Sequence, residues 1–232
     1  MNDLSPLPRC FWAGDDELMC AYHDAEWGVP VYDDRDLFER LLLECFQAGL
    51  SWRTILHKRE NFRRAFDNFD AEKIAAYGEE KIASLLADPG IVRNRLKVRG
   101  AVRNAQAFLR LVEEQGTFSA WLWRFVDGKP VLPSVPLTQE LIPAETDVAR
   151  ALSKALRKAD FTFVGPTICY AFMQSVGMVD DHVVGCFKYR GTVNSGLPSF
   201  TDYSSLNVIK LRIWFSQTRP FYSKTRPFYR IN

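Results

Sequence analysis

The chain has 232 residues, 47% of them apolar and 25% charged, with a net charge of +2. That balance excludes a disordered or fibrous polymer and supplies enough apolar material for a core that needs no disulfides. No basic leader followed by an apolar stretch opens the sequence, no apolar run approaches a membrane span, and five scattered cysteines do not form a disulfide framework. A cytoplasmic protein without membrane contact is expected, its thiols free and some of them available to a metal.

From residue 33 to about 191, apolar positions recur at helical spacing with no period-two run, which predicts an all-α fold. Asp33 or Asp34 caps a first long helix whose inner positions are Leu37, Phe38, Leu41, Leu42 and Cys45, and Gly49 ends it. Ser51 caps a second helix reaching Phe66, short helices follow over 70–77 and 79–87, and Asp88-Pro89-Gly90 breaks the pattern. A longer helix spans about 92–114, with Ala101, Ala105, Phe108, Leu109 and Val112 inward. Thr117 caps 118–126, the proline-bearing stretch 127–143 is a loop, and 146–158 is amphipathic. Gly165-Pro166 opens a helix over 167–176, and Asp181 caps a last one starting at His182.

The sequence changes character at residue 192. Thr-Arg-Pro-Phe-Tyr occurs at 218–222 and again at 225–229, and six basic residues stand against the single acid Asp202. A domain over 1–191 followed by a poorly ordered extension is expected. The competing reading is a basic, aromatic arm that touches DNA by phosphate attraction and base stacking.

Four constellations carry chemistry. His182-x-x-x-Cys186 sets an imidazole and a thiolate one helical turn apart, and Cys10 with His23 can complete a tetrahedral zinc site if the N-terminal segment folds back. A buried histidine at a helix start and a small core cysteine would give the same spacing. Glu44 lies on a strip with Arg40 and Gln47; a surface pair with Arg40 accounts for it, and so does a carboxylate that accepts a purine amino group beside Trp52. Phe11, Trp12, Tyr22, Trp27 and Trp52 crowd the N-terminal region. Core packing accounts for Phe11 and Trp27, whereas Trp12 and Tyr22 flank the candidate ligands and can wall a flat pocket. Finally, Phe163-Val164-Gly165-Pro166-Thr167 is a glycine turn entering a helix, where backbone N–H groups can hold a phosphate.

Taken together, Arg9-Cys10, Tyr22-His23-Asp24, Glu26-Trp27-Gly28-Val29-Pro30, Glu44, Gln47-Ala48-Gly49-Leu50-Ser51-Trp52, Lys58-Arg59-Glu60-Asn61, Phe163-Val164-Gly165, Thr167-Ile168-Cys169-Tyr170 and Asp181-His182-Val183-Val184-Gly185-Cys186 resemble the bacterial 3-methyladenine DNA glycosylase I family. The resemblance runs from about Arg9 to Arg190. It implies a helix-hairpin-helix glycosylase fold, with one structural zinc held by Cys10, His23, His182 and Cys186 and joining the N- and C-terminal segments. It also implies a base pocket of Trp12, Tyr22, Glu44 and Trp52, and a DNA-binding hairpin at Phe163, Val164, Gly165 and Thr167. The implied partner is double-stranded DNA carrying alkylated bases, bound by a monomer with no protein partner.

Two positions depart from the family. Met19 stands where an aromatic residue is common, and Asp180 stands where asparagine is common and where related glycosylases place a catalytic carboxylate. Glu44 and Asp180 are therefore both candidate catalytic acids. No lysine occupies the hairpin position after Gly165, where Pro166-Thr167-Ile168 stand, so neither a Schiff base nor strand cleavage is expected.

Overall fold

The computed structural model describes residues 7–191, and the expectations for 192–232 lie outside the described residues. Nine α-helices and four short 3₁₀ turns make up the described part, whose only β feature is an isolated parallel bridge between Val131 and Val179. None of these helices is long and apolar enough to cross a membrane.

The helices are α1 (Glu17–Ala25), α2 (Asp34–Gln47), α3 (Trp52–Ala65), α4 (Ala71–Ala75), α5 (Glu79–Ala87), α6 (Arg95–Gln115), α7 (Phe118–Trp123), α8 (Asp147–Lys158) and α9 (Pro166–Ser175). Local capping sets most of the starts: Asp33, Ser51, Asp70, Asn94, Thr117 and Thr146 each accept a backbone N–H from the first turn of the helix they precede. Three sequence expectations need correction. The long helix starts at Arg95 rather than near Val92, because Asn94 supplies the cap. The segment from Phe118 leaves α-geometry after Trp123 and tightens into a 3₁₀ turn at Arg124–Val126. No helix starts at His182; the stretch 181–191 holds no helix or strand and turns at 184–188.

Helix α2 is the centre of the core. Leu37, Phe38, Leu41, Leu42, Leu43 and Phe46 are buried, and α3, α6, α7 and α9 pack around them. Asp34 adds a tie of its own, accepting the N–H groups of Phe118 (2.9 Å) and Ser119 (2.7 Å) at the start of α7. At the other end of α2, the half-sequestered ammonium of Lys97 donates to the Phe46 and Ala48 carbonyls at 2.8 and 2.6 Å, where a cation offsets the negative end of the helix.

Two glycines permit close crossings. The segment before α2 docks on the end of α9 through Gly28 N–H to Gln174 O and Val31 N–H to Val176 O, and it passes Gly177 so closely that a Cβ there would lie 2.4 Å from the Val29 carbonyl carbon. In α6, a Cβ on Gly100 would lie 2.9 Å from Phe163 Cε2 and from Thr162 Oγ1, so the turn between α8 and α9 rests directly on this helix. Asn104, one turn later, clamps the same turn by accepting Thr162 N–H at 2.7 Å and donating to Thr162 O at 3.1 Å. We expect Gly100→Ala to cost about 1–3 kcal/mol by overpacking, read as a lower unfolding midpoint; unchanged stability would show that the turn can move away freely.

Candidate active site and metal centre

A second, smaller apolar cluster lies apart from the main core and contains Cys10, Met19, Tyr22, Trp27, Leu56 and Cys186, with Trp12, Trp52 and Val183 partly buried against it. Helix α1 supplies much of it. Asp16 caps α1 by accepting Met19 N–H at 2.9 Å, and the helix buries Met19, Tyr22 and His23. Sequence reasoning assigned no helix here. The available signal was the acidic run Asp15-Asp16-Glu17, which suits a helix N-terminus.

At one edge of the cluster Cys10, His23, His182 and Cys186 converge, all buried, with ligand atoms within 4.8 Å of one another. Cys186 Sγ lies 3.3 Å from His23 Nε2 and 3.6 Å from His182 Nδ1, and Cys10 Sγ lies 3.6 Å from His182 Nδ1. A tetrahedral ion with metal–sulfur bonds of about 2.3 Å and metal–nitrogen bonds of about 2.0 Å needs sulfur–nitrogen edges of about 3.5 Å, so the donor set fits zinc. The cluster also polarises its own thiols. Cys186 is drawn toward the thiolate by its contact with the Cys10 thiol and then by His182, His23 and the Lys188 N–H, while Cys10 is pushed up as the proton-bearing partner. The His182-to-Cys186 spacing works through a turn, closed by Cys186 N–H to Val183 O at 3.0 Å, and not through the helix face expected from sequence.

The aromatic rings begin at the cluster itself, with Trp12 5.3 Å from His23 and Trp27 4.7 Å from His182 between ring centroids, and continue away from it through Tyr22 to Trp52. Tyr22 lies 6.1 Å from Trp12 and 5.1 Å from Trp52 between ring centroids, and Trp12 meets Trp27 edge-on at 5.0 Å. Met19 joins this cluster as a buried thioether. Phe11, expected in the core, is 46% exposed.

Glu44 is 3% exposed, and its Oε2 has no hydrogen-bond partner; the same is true of the buried Trp52 Nε1. Arg40 does not pair with it, since its guanidinium donates to Ser175 O at 2.7 Å and to Glu26 Oε2 at 3.2 Å. Burial pushes the Glu44 carboxyl up to about 8, with Arg40 pulling weakly the other way. The Tyr22 hydroxyl is raised as well, by burial first and by the nearby Glu44 charge second. An acceptor and a donor left unpaired in the interior are expensive in a folded chain, and a polar ligand that reached them would remove that cost; Asp180 Oδ2 and His182 Nε2 are buried without hydrogen bonds as well.

The other candidates sit elsewhere. Asp180 is buried, with Oδ1 accepting His182 N–H at 3.3 Å and Oδ2 3.3 Å from Arg190 Nε, so its carboxylate faces the metal residues and a guanidinium. Asp181, expected to cap a helix, instead accepts the Tyr170 hydroxyl at 2.5 Å and Gln174 Nε2 at 2.7 Å. In the turn before α9, the Val164 side chain is buried and its carbonyl accepts Ser153 Oγ at 2.6 Å, while Phe163 adopts a left-handed φ of +58° against Gly100. Gly165 caps α9 and Thr167 lies in its first turn, where N–H groups have no acceptor within the helix. The Arg157 guanidinium comes within 3.7 Å of the position a Gly165 Cβ would take.

Sequence reasoning missed a partly buried charge network. Arg59 donates to Glu39 at 2.7 Å and to Glu26 at 2.7 and 2.9 Å, and Arg63 adds a second guanidinium on Glu39, locking the residues after α1 to α2 and α3. The Glu39 carboxyl is penalised by burial, but the two guanidinium groups outweigh that and hold it below its ordinary range.

A family model described as methyladenine glycosylase matches residues 12–189. DNA-3-methyladenine glycosylase 1 of Escherichia coli strain K12 is 48% identical over 185 residues, covering 80% of this chain and 98% of that protein. A crystal structure of 3-methyladenine DNA glycosylase I superposes with a TM-score of 0.76 at 48% identity, covering 78% of this chain and 99% of the other. A tyrosine-to-phenylalanine variant of a 3-methyladenine DNA glycosylase I, in complex with 3-methyladenine, matches with a TM-score of 0.74 at 36% identity over 77% of this chain and 95% of its own. With a match that spans the aromatic cluster, Glu44 and most of the metal-ligand quartet, the chain belongs to the methyladenine glycosylase family of enzymes.

Proposed function

We propose that this enzyme releases 3-methyladenine from alkylated double-stranded DNA as the first step of base excision repair, acting as a cytoplasmic monomer on a helix-hairpin-helix scaffold. The observation that supports this reading is the pair of buried, unpartnered atoms Glu44 Oε2 and Trp52 Nε1, the first close enough to Tyr22 for its charge to act on the hydroxyl and the second on a ring that packs on Tyr22 at 5.1 Å. The damaged nucleotide leaves the base stack, and its base enters between Trp12 and Trp52. Methylation at N3 gives the ring a positive charge, so the aromatic faces attract it by about 1–2 kcal/mol more than neutral adenine. Glu44 and Tyr22 bond the base edge. The C1′–N9 bond then breaks with its electrons passing to the departing base, which leaves neutral, and water adds to C1′ and loses a proton.

Backbone N–H groups around Gly165 and Thr167, in the turn begun by Phe163 and Val164, hold a DNA phosphate with Arg157 alongside. With Pro166, Thr167 and Ile168 after Gly165 there is no lysine to attack the sugar, so the enzyme is monofunctional. Cys10, His23, His182 and Cys186 hold one zinc ion, which supplies structural cross-linking only, because four protein ligands leave no open position. Of the two candidate acids, we assign Glu44, whose charge acts on Tyr22, to the base edge, and Asp180 to orienting the segment that carries His182.

Incubation with methylated duplex DNA and chromatography of the released bases tests the activity: 3-methyladenine should appear and the abasic strand should stay unbroken. Retention of every methylated base would refute it. The catalytic unit is 1–191, so truncation after Gly191 should leave release within about twofold, a change of under 0.5 kcal/mol; lost release by a folded truncation would assign the tail a part in catalysis.

A further inference from the structure

We propose that Asp24, gripped by Arg9, is a positioning residue for the metal centre, setting the N-terminal half of the centre before the ion arrives. The proposal rests on the zinc reading above. His23 Nδ1 lies 2.8 Å from Asp24 Oδ1, and Arg9 closes on the same carboxylate through Nε at 2.8 and 3.0 Å and Nη2 at 2.6 Å. Arg9 directly precedes Cys10, and Asp24 directly follows His23. One clamp across this short stretch therefore draws two of the four ligands together, and Cys10 N–H points at His23 Nε2 from 3.3 Å.

The hydrogen-bond chemistry is consistent around the ring. A carboxylate only accepts, so Nδ1 carries the hydrogen and the Nε2 lone pair faces the Cys10 N–H and the Cys186 sulfur. That is the form an imidazole needs in order to ligate, and a carboxylate on the outer nitrogen fixes the orientation of the ring. His182 differs: its outer nitrogen, Nε2, is buried with no partner, and packing against Gly28, where a Cβ would lie 3.0 Å away, holds the ring.

The C-terminal half then docks onto the preset half. Lys188 donates through Nζ to Asp24 O at 2.9 Å, and its own N–H reaches Cys186 Sγ at 3.4 Å. The Arg9 and Asp24 side chains stay 24% and 29% exposed, so as an ion pair they contribute little to folding. Their effect belongs to the metal.

Zinc affinity of the full chain, measured by chelator competition with cobalt(II) absorption as a second probe, tests this. Asp24→Ala should weaken zinc binding by about 10- to 100-fold. Asp24→Asn, whose amide oxygen can still accept from Nδ1, should fall in between. Metal-free melting should move by less than about 2 °C. In the metal-free wild type, ring nitrogen NMR should show His23 with its hydrogen on Nδ1, and Asp24→Ala should lose that preference. Equal zinc affinity in wild type and Asp24→Ala would overturn the proposal alone; a wild-type chain that binds neither ion would overturn the metal reading and the proposal with it.

Discussion

Glu44→Gln is expected to slow release of 3-methyladenine about tenfold to a hundredfold while making the free protein more stable at neutral pH. The loss of rate follows from removing a charged acceptor in a desolvated pocket, about 1.5–3 kcal/mol. The gain in stability follows from linkage. Burial raises the Glu44 carboxyl from its ordinary value to about 8, so its favourable contribution is fully present below about pH 4 and is lost as pH rises through about 8. Between those limits the folded state must hold a proton or bury an unpaired charge.

Glutamine does neither. The stability difference between Glu44→Gln and wild type should therefore be near zero at pH 4 and grow to the order of 3 kcal/mol by pH 7. Release by wild-type enzyme, measured as single-turnover kcat/KM, should rise with pH and level off above about 8, where Glu44 meets the cationic base already ionised. Asp180→Asn keeps an oxygen for His182 N–H and should release base at close to the wild-type rate. A fast Glu44→Gln variant beside a slow Asp180→Asn would reverse the two assignments.

Removing the metal should have the largest effect on stability. One zinc per chain is expected, and its removal by chelation, or Cys186→Ala, should lower the unfolding midpoint by about 10 °C or more. A ligand at a thousandfold excess over its dissociation constant adds about 4 kcal/mol, and a domain of this size loses about 2–4 °C per kcal/mol. The loss should be local first, because the core around α2 does not include the four ligands. Hydrogen exchange should speed up in 8–31 and 178–190 while α2 and α6 stay protected. A metal-free chain that melts like the loaded one would refute the structural role.

The legible parts of the fold were those governed by local chemistry. Asp33, Ser51 and Thr117 announce their helices because a side-chain oxygen needs only the N–H groups of the next turn. Helix α1 buries Met19, Tyr22 and His23 at i, i+3 and i+4 behind the Asp16 cap, a helical spacing that is hard to read in nine residues where a histidine fills an inner position and the rings serve a cluster apart from the main core. The helix expected from His182 failed for a related reason: Tyr170 and Gln174 take the Asp181 carboxylate that would have capped it. Spacing of four residues suits a turn as well as a helix, so the ligand pair was visible while its backbone was not.

At the site, the motif named rings and metal candidates together; the structure brings Cys10, His23, His182 and Cys186 within 4.8 Å of one another and sets Tyr22 against Trp12 and Trp52. Pairings between distant segments had no local signature. Arg40 belongs to Glu26 and Ser175 rather than Glu44, Lys97 closes the end of α2, and Arg9 holds Asp24. Each needs the fold to exist before the partners meet.

The Phe187 N–H donates to Pro8 O at 2.8 Å, so the described chain returns to its own beginning, and the metal residues lie just inside that junction. Mechanically this is a clasp on a loop. A pull applied at the two ends loads the Pro8–Phe187 bond and the cysteine–histidine cluster before any helix of the core bears tension. The same closure makes residues 8 and 187 neighbours that a short linker can join, with new ends opened in the exposed stretch 134–136 while the packing around α2 stays unbroken.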